Sequence, residues 1–323
     1  MPEMKIENIA MDYEGEWNAV PCVDASLGSR HETNDAAVDD AAARWSGAFR
    51  SAKVYASTGD YGLAEIWVDG KRLQEIDLYS PSDRHGILVC SIDHLEAGFH
   101  TLEIRKSGRR NKRSSSCRLN LDYLELDFVK PLKVSYHQIV CVGDSITFGA
   151  NVEDRPLGLY GRRLQGMLAV PVSVHGLSGA SIRTVTSVLD AVAAPRKPEL
   201  ILWLAGMNDE SPYSPMVQGI DRIRELMPEA ELIVSNIPYN TFYSVEQNQR
   251  KADEVMQACR KTSVPCIDLY GLTHGNVRLH LPENTVHPNS EGHGVIASAF
   301  YREIMRRTYS FEPPVAPLPR SGR

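Results

Sequence analysis

Residues 138–149 read QIVCVGDSITFG, a short apolar run that ends at Gly143 and passes directly into a polar turn. The run Ile139 to Val142 is apolar throughout and lacks the period-2 alternation of a half-exposed strand. A continuous run of this kind is typical of a strand that is buried on both faces, as in a parallel sheet. The stretch therefore predicts the first strand of an α/β domain.

The residues that follow this stretch alternate further apolar runs with helical segments. Residues Ile182, Val185, Leu189 and Val192 keep the 3/4 spacing of an amphipathic helix. We therefore expect a flavodoxin-like, three-layer α/β domain with about five parallel strands. The further runs that predict strands are VPVSVHG (170–176), ELILWLAG (199–206), ELIVSNIP (231–238) and VPCIDLYG (264–271).

The N-terminal part of the sequence has the alternating pattern of antiparallel strands. Asp69-Gly70 lies between two alternating runs, which is the signal of a type I′ hairpin. Residues 118–128, RLNLDYLELDF, predict one strand with Leu119, Leu121 and Tyr123 on a mostly apolar face. An antiparallel β-sandwich of jelly-roll type is expected here. The predicted domains are residues 1–130, a sandwich; 131–309, the α/β domain; and 310–323, a proline-rich tail.

The bulk composition excludes several classes of protein. No apolar run approaches the ~20 residues of a membrane span, and the net charge of −6 argues against generic nucleic-acid binding. The six cysteines are scattered without a C-x-x-C pair, which favours free thiols and gives no metal-ligand spacing. The first residues show no secretory signal, so a cytoplasmic protein is expected, or a secreted one if a signal has been removed. No metal or cofactor is expected, because no His, Cys or Asp cluster has the spacing of metal ligands.

Residue types that carry chemistry follow the predicted strands in order. The carboxyl ends of parallel strands meet at one edge of the sheet, where open α/β sheets bind ligands. Each residue alone is more often structural, as a helix N-cap or a turn residue. The ordered set favours a serine nucleophile with a histidine base. Its members are Ser145 in GDS, Gly179 in HGLSGAS, Asn208 in AGMNDE and His287 in NTVHPNSEGHG.

This set resembles the SGNH (GDSL-like) hydrolase family over residues 136–308. The resemblance implies that Ser145 is the nucleophile and His287 its base. It also implies an oxyanion hole formed by the backbone N–H groups of Ser145 and Gly179 and by the side-chain amide of Asn208. Donors fixed in advance suit this role, because acyl transfer develops a full negative charge on oxygen. The α/β-hydrolase fold is disfavoured, since the sequence has no G-x-S-x-G elbow.

The sequence departs from the family at the residue expected to orient the histidine. The family carries aspartate three residues before the histidine, and here that position is Asn284, preceded by Glu283. An aspartate would hold the ring and stabilise the imidazolium. The orienting group is therefore Asn284, a main-chain carbonyl or Glu283. We favour a Ser-His dyad oriented by Asn284 or a carbonyl.

Three other polar residues near these motifs are assigned lesser roles. His293 is expected to be a packing or helix-surface histidine, and His175 and Asp209 at most support the site.

The N-terminal pattern loosely resembles carbohydrate-binding modules and the N-terminal domains of some acetyl esterases. Its candidate sugar-binding aromatic residues are each more often core residues. A basic cluster around one inter-strand loop is interpreted as a solvated loop, with binding of an anionic ligand or acidic polysaccharide as the alternative. The favoured function is a serine esterase that removes short, mainly acetyl, groups from a saccharide or other small ester. A broad lipase-like or arylesterase, and a carbohydrate-binding protein with a weakened hydrolase domain, remain alternatives. The aromatic residues are Trp17, Trp45, Trp67 and Tyr79, and the cluster is Arg105, Lys106, Arg109, Arg110, Lys112 and Arg113.

Overall fold

The computed structural model describes residues 3–35, 41–281 and 284–310, with only the backbone of residues 284 and 285. These residues form two units. One comprises the residues up to Val134 together with those from Ile304 onward, and the other comprises Ser135–Glu303. Apart from Ser310, the predicted tail lies outside the described residues.

The described residues of the first unit up to Val134 form strands and one 3₁₀ turn, Asn8–Ala10. The strands are β1 (Met4–Glu7), β2 (Asp12–Glu14), β3 (Trp17–Pro21), β4 (Ser29–Thr33), β5 (Ala42–Thr58), β6 (Gly62–Val68), β7 (Lys71–Asp77), β8 (Arg84–Ile92), β9 (Gly98–Arg110), β10 (Asn120–Leu121) and β11 (Tyr123–Phe128).

These strands form two antiparallel sheets, which confirms the predicted sandwich. The larger sheet has the order β1-β11-β5-β9-β6-β7, with β2 and β8 also paired to β5, and the smaller has the order β10-β4-β3. Side chains from both sheets fill the interior, among them Trp17, Trp45, Phe49 and Phe128, all at most 1% exposed. Trp17 and Trp45 are therefore core residues and not sugar platforms. Trp67 is half-buried, and the Arg105 guanidinium lies 4.3 Å from its ring centroid.

The hairpin between β6 and β7 has the predicted turn. Asp69 and Gly70 both have positive φ, 52° and 73°, as the two central residues of a type I′ turn require. The Asp69 carboxylate also accepts a hydrogen bond from the Thr101 N–H at 2.8 Å, which fixes the turn against β9.

Two sequence interpretations of the N-terminal unit are corrected. The single strand predicted over 118–128 breaks at Asp122, where the backbone passes from the smaller sheet to the larger. The buried face of β11 is therefore Leu124, Leu126 and Phe128, and Tyr123 is only half-buried. The predicted basic loop is largely strand, because β9 continues to Arg110.

The second unit contains the parallel sheet, several helices and two 3₁₀ turns, Ala194–Arg196 and Val277–Leu279. Its strands are β12 (Ile139–Gly143), β13 (Val172–Gly176), β14 (Leu200–Leu204), β15 (Glu231–Ser235), β16 (Cys266–Ile267), β17 (His280–Leu281) and β18 (Asn284–Pro288). The helices are α1 (Ser145–Phe148), α2 (Arg155–Gly158), α3 (Tyr160–Leu168), α4 (Ile182–Ser187), α5 (Leu189–Val192), α6 (Tyr213–Leu226), α7 (Val245–Thr262), α8 (Leu269–Thr273) and α9 (Ser290–Tyr309).

Five of these strands form a parallel sheet in the order β13-β12-β14-β15-β16, which confirms the predicted flavodoxin-like fold. Strand β12 is buried along its whole length, as its continuous apolar run predicted. One face of the sheet packs against α4, α6 and α7 through Val140, Val142 and Trp203. The backbone leaves β12 for β13 on one side and later places β14 on the other, so a crevice opens at the carboxyl ends of these strands.

The predicted helix after β13 is interrupted in the structure. Two short helices, α4 and α5, meet at Val188, and the buried stripe still includes Ile182, Val185 and Leu189. The 3/4 spacing of apolar residues predicted the buried face of this segment correctly, but it did not predict the interruption of the helix at Val188.

All six cysteines are free thiols. Among the described residues, no helix combines the length and the apolar character needed to cross a membrane.

Two glycines let α1 pack closely against the strand ends. A Cβ on Gly143 would overlap the Leu204 carbonyl oxygen and the Thr147 side chain. A Cβ on Gly176 would overlap the backbone nitrogen and Cα of Phe148. The ends of β12 and β13 are also joined by the Leu177 N–H, which donates to the Gly143 carbonyl at 3.0 Å.

We predict that Gly176→Ala destabilises the α/β unit by about 3 kcal/mol or more, because the overlapping atoms are backbone and cannot turn aside. The change in the urea unfolding midpoint measures it. Gly294→Ala is the matched control. Its added Cβ would meet only the end of the Arg163 side chain, at 3.5 Å, within a helix. It should therefore stabilise by ~0.5–1 kcal/mol. Equal midpoints for the two variants would contradict the close-packing interpretation.

Candidate active site

Ser145 begins helix α1 directly after strand β12. Asp144 caps this helix, since its Oδ1 accepts a hydrogen bond from the Ile146 N–H at 3.0 Å. Gly149, with φ of 82°, ends the helix after one turn. The short turn holds the Ser145 side chain at the carboxyl edge of the sheet, where it is 4% exposed.

His287 is brought to Ser145 by the last strand of the unit. Its Nε2 lies 2.9 Å from Ser145 Oγ, although the two residues are 142 positions apart in the sequence. In the neutral tautomer with the proton on Nδ1, this Nε2 accepts the serine hydroxyl proton. The pair has the geometry of a nucleophile and its base.

The backbone around His287 is fixed by neighbours that the sequence did not indicate. The His280 ring lies between two carbonyls, with Nδ1 3.0 Å from His287 O and Nε2 2.9 Å from Tyr239 O. The Asn289 N–H donates to Leu279 O at 2.8 Å. These contacts are made to main-chain atoms, so no residue pattern in the sequence points to them.

Further hydrogen bonds link the segment that follows Ser145 to the segment that follows His287. The Glu153 carboxylate accepts hydrogen bonds from the backbone N–H and the hydroxyl of Ser290, at 3.0 and 2.6 Å. Glu153 follows α1, and Ser290 begins α9 just after His287. The segment after the serine is thereby fixed to the segment after the histidine.

The predicted orienting residues of His287 fall where the structure gives no side chains. Glu283 lies outside the described residues, and only the backbone of Asn284 is described, as part of β18. The choice among Asn284, Glu283 and a carbonyl therefore stays a prediction.

Gly179 and Asn208 lie at the ends of the strands that flank β12. Gly179 has φ of 73°, and a Cβ there would meet no atom within 4 Å, so the space in front of it is open. The Asn208 side chain is exposed, and its Nδ2 donates to Ala180 O at 2.9 Å. An amide nitrogen has two protons, so a second donor remains for a ligand.

The carboxylates beside the site are structural. Asp209 accepts from the Ile182 N–H at 3.0 Å and so fixes the start of α4. Burial, and then the charge of Asp209, raise the pKa of Asp144 to about 7 despite the bond from Ile146. The sequence assigned Asp209 a supporting role, and this contact shows what it supports.

Two other histidines, His293 and His175, lie near the site motifs in the sequence. His293 is fully buried and stacks on Tyr160, whose N–H donates to its Nδ1 at 3.3 Å, so it is a packing residue as expected. Burial lowers its pKa to about 3. His175 lines a cavity of about 600 Å³ beside β13, whose lining includes Phe148 but neither Ser145 nor His287. Among the described residues, no group of His, Cys, Asp or Glu is arranged to hold a metal.

A parallel sheet with a serine and a histidine in hydrogen-bond contact at its carboxyl edge defines a hydrolase-type fold and site. Residues 141–295 match the model of the GDSL-like Lipase/Acylhydrolase family. The α/β unit therefore contains a GDSL-like lipase/acylhydrolase domain.

Comparison with other proteins gives the following similarities. Among curated protein sequences, no match to the chain is found. A solved lipase/acylhydrolase from Enterococcus faecalis is 22% identical with a TM-score of 0.45, over 56% of this chain and 100% of that one. A carbohydrate esterase of family 2 with a carbohydrate binding domain, from Corynascus thermopiles (Myceliophthora fergusii), is 17% identical with a TM-score of 0.44, over 84% and 94%. An acetylxylan esterase from Geobacillus stearothermophilus is 19% identical with a TM-score of 0.44, over 55% and 95%.

We predict that kcat/KM for an uncharged ester falls at acid pH with a pKa below 6.5. Burial, and then the charge of His280, lower the pKa of His287. His287 must be neutral to accept a proton, so activity is present above this pKa and lost as the pH falls through it. A pH profile with p-nitrophenyl acetate measures it.

The control for this profile is Asp144→Asn. Asp144 also titrates near neutral pH, and an amide oxygen can still cap α1. If kcat/KM is lost at acid pH with a pKa of 6.5 or above, and this pKa is unchanged in Asp144→Asn, the lowered pKa of His287 is contradicted.

Proposed function

We propose that this protein is a serine esterase that removes short acyl groups, acetyl above all, from a saccharide or similar hydroxylated compound. The observation that carries the proposal is the 2.9 Å contact between His287 Nε2 and Ser145 Oγ, at a sheet edge that also presents Gly179 and Asn208.

Acylation begins when His287 Nε2 takes the proton of the Ser145 hydroxyl and Oγ attacks the ester carbonyl carbon. The carbonyl oxygen becomes an oxyanion, which the backbone N–H groups of Ser145 and Gly179 and the Asn208 amide stabilise. The intermediate collapses as the ester C–O bond breaks, and His287 gives its proton to the departing alcohol. The acyl group is then bonded to Ser145.

Deacylation repeats these steps with water. His287 takes a proton from the water, whose oxygen attacks the acyl carbonyl at the same oxyanion site. Ser145 leaves as the alcohol and recovers its proton from His287, and the carboxylic acid is released.

Two features support a short acyl group and a large, hydroxylated alcohol. The motifs around Ser145 and His287 resemble those of carbohydrate acetyl esterases. The space in front of Gly179 is open, and the Asn208 side chain is exposed, so a bulky polar alcohol can approach the oxyanion donors.

One observation favours the runner-up, a broad lipase-like esterase. Three apolar side chains are exposed on segments at the carboxyl side of the sheet: Leu157 at 71%, Phe242 at 64% and Val277 at 59%. A longer acyl group could pack on such side chains. The dependence of the rate on acyl length decides between the two functions.

We predict that acetate is released from acetylated saccharides and that kcat/KM for p-nitrophenyl esters falls steeply from acetate to octanoate. Ser145→Ala, which lacks the nucleophile, should release no acetate above the uncatalysed rate. Values of kcat/KM that stay constant or rise from acetate to octanoate would favour the lipase-like esterase instead. Absence of any ester hydrolysis, together with saccharide binding, would favour a binding protein with a weakened hydrolase domain.

The orienting residue of His287 is tested by three substitutions. If the Asn284 amide oxygen holds Nδ1–H, Asn284→Asp should raise kcat, because a carboxylate also stabilises the imidazolium. If a main-chain carbonyl is the partner, Asn284→Ala should cost little. If Glu283 is the partner, Glu283→Gln should lower kcat by about 10⁴. A large loss in Glu283→Gln with Asn284→Ala near wild type would reject our preference for the dyad.

A further inference from the structure

A buried lysine lies beneath the strand-end turn that carries Asn208. Lys251 is 5% exposed, although lysine is rarely buried. It lies on α7 within the 3/4-spaced stripe that includes Val255, Ala258 and Thr262, all buried. A lysine within such a stripe of buried positions can be recognised from the sequence alone.

The ammonium group of Lys251 is held by main-chain carbonyls. Its Nζ donates to Met207 O at 3.0 Å and also to Asp209 O. The Tyr243 ring covers it, with Nζ 4.5 Å from the ring centroid. Within the residues that the structure describes, Lys251 forms no ion pair with a carboxylate.

The two carbonyls belong to the residues on either side of Asn208. Lys251 therefore holds the peptide unit that joins Met207 to Asn208 and the peptide unit that follows Asp209, one on each side of the exposed side-chain amide. Met207 and Asp209 are themselves buried, whereas Asn208 between them is exposed.

The same turn is tied to the segment of Gly179. Asn208 Nδ2 donates to Ala180 O, and the Asp209 carboxylate accepts from the Ile182 N–H. A displacement of the turn would thus shift the Asn208 amide and also loosen the backbone that follows Gly179.

We propose that Lys251 is a positioning residue for the oxyanion hole, acting through the Met207 and Asp209 carbonyls on the Asn208 amide. This inference rests on the proposed function, because it assumes that Asn208 stabilises the oxyanion. An ammonium group suits the task, since it has three donors and no acceptor and can bind two carbonyls at once. Lys251 should therefore affect the energy of the transition state more than the affinity for the substrate. A donor that is fixed in position stabilises the oxyanion most, and the oxyanion's charge develops in the transition state.

The test is a double-mutant cycle with Lys251→Met and Asn208→Ala, assayed for kcat and KM on p-nitrophenyl acetate. Asn208→Ala should lower kcat by about 10²–10³. Lys251→Met should lower kcat by about 10- to 100-fold with KM within about twofold, the scale expected for a misplaced catalytic group. In the Asn208→Ala background, Lys251→Met should cause little further loss, because the amide it positions is gone.

Two further variants separate positioning from folding. Lys261→Met removes the same charge from an exposed site on the same helix and should leave kcat unchanged. Lys251→Arg, which keeps a cationic donor, should recover part of the kcat that Lys251→Met loses.

Each outcome has a distinct meaning. A loss from Lys251→Met that is as large in the Asn208→Ala background as in wild type, or that appears only in KM, would overturn the inference and leave the proposed function intact. An Asn208→Ala variant with kcat near wild type would instead overturn the proposed oxyanion role of Asn208, and the inference with it.

Discussion

The close contact between α1 and the ends of β12 and β13 is the constraint on which the site depends. Gly143 and Gly176 have no Cβ, so a helix of one turn can lie directly on the strand ends. This contact fixes the position of Ser145 relative to the sheet, and the register of the sheet then fixes β13 and β14 beside it. The packing of α1 and the register of the sheet therefore determine which strand ends lie beside Ser145.

Ionisable groups beneath this edge are held by main-chain atoms. Asp144 and Asp209 accept hydrogen bonds from N–H groups at helix starts, and Lys251 donates to carbonyls at a strand end. Such bonds orient peptide units as well as side chains, and they are stronger than neutral ones because one partner is charged. Charges buried in this way are costly if their partners move, which favours one rigid arrangement of the edge.

Much of the fold and of the site could be predicted from the sequence. Continuous apolar runs indicated the five parallel strands, and Asp69-Gly70 indicated its turn type, because these patterns follow from local backbone and burial rules. Strand order then explained why residues as distant as Ser145 and His287 should meet. The break at Val188 and the crossing between sheets at Asp122 were missed, since both depend on tertiary packing. His280 contacts main-chain carbonyl groups, which every residue has, so no sequence motif indicates its role.

The N-terminal unit takes one of its packing residues from far along the sequence. The Tyr309 ring stacks on Phe99 with centroids 4.1 Å apart, and its hydroxyl accepts a hydrogen bond from the Lys133 N–H at 3.3 Å. Strand β5, in turn, pairs with strands as late as β11. Contacts of such long sequence separation form slowly and only after the intervening residues exist. During synthesis, the unit that emerges first from the ribosome therefore reaches its complete packing only after residues 304–310 have emerged as well.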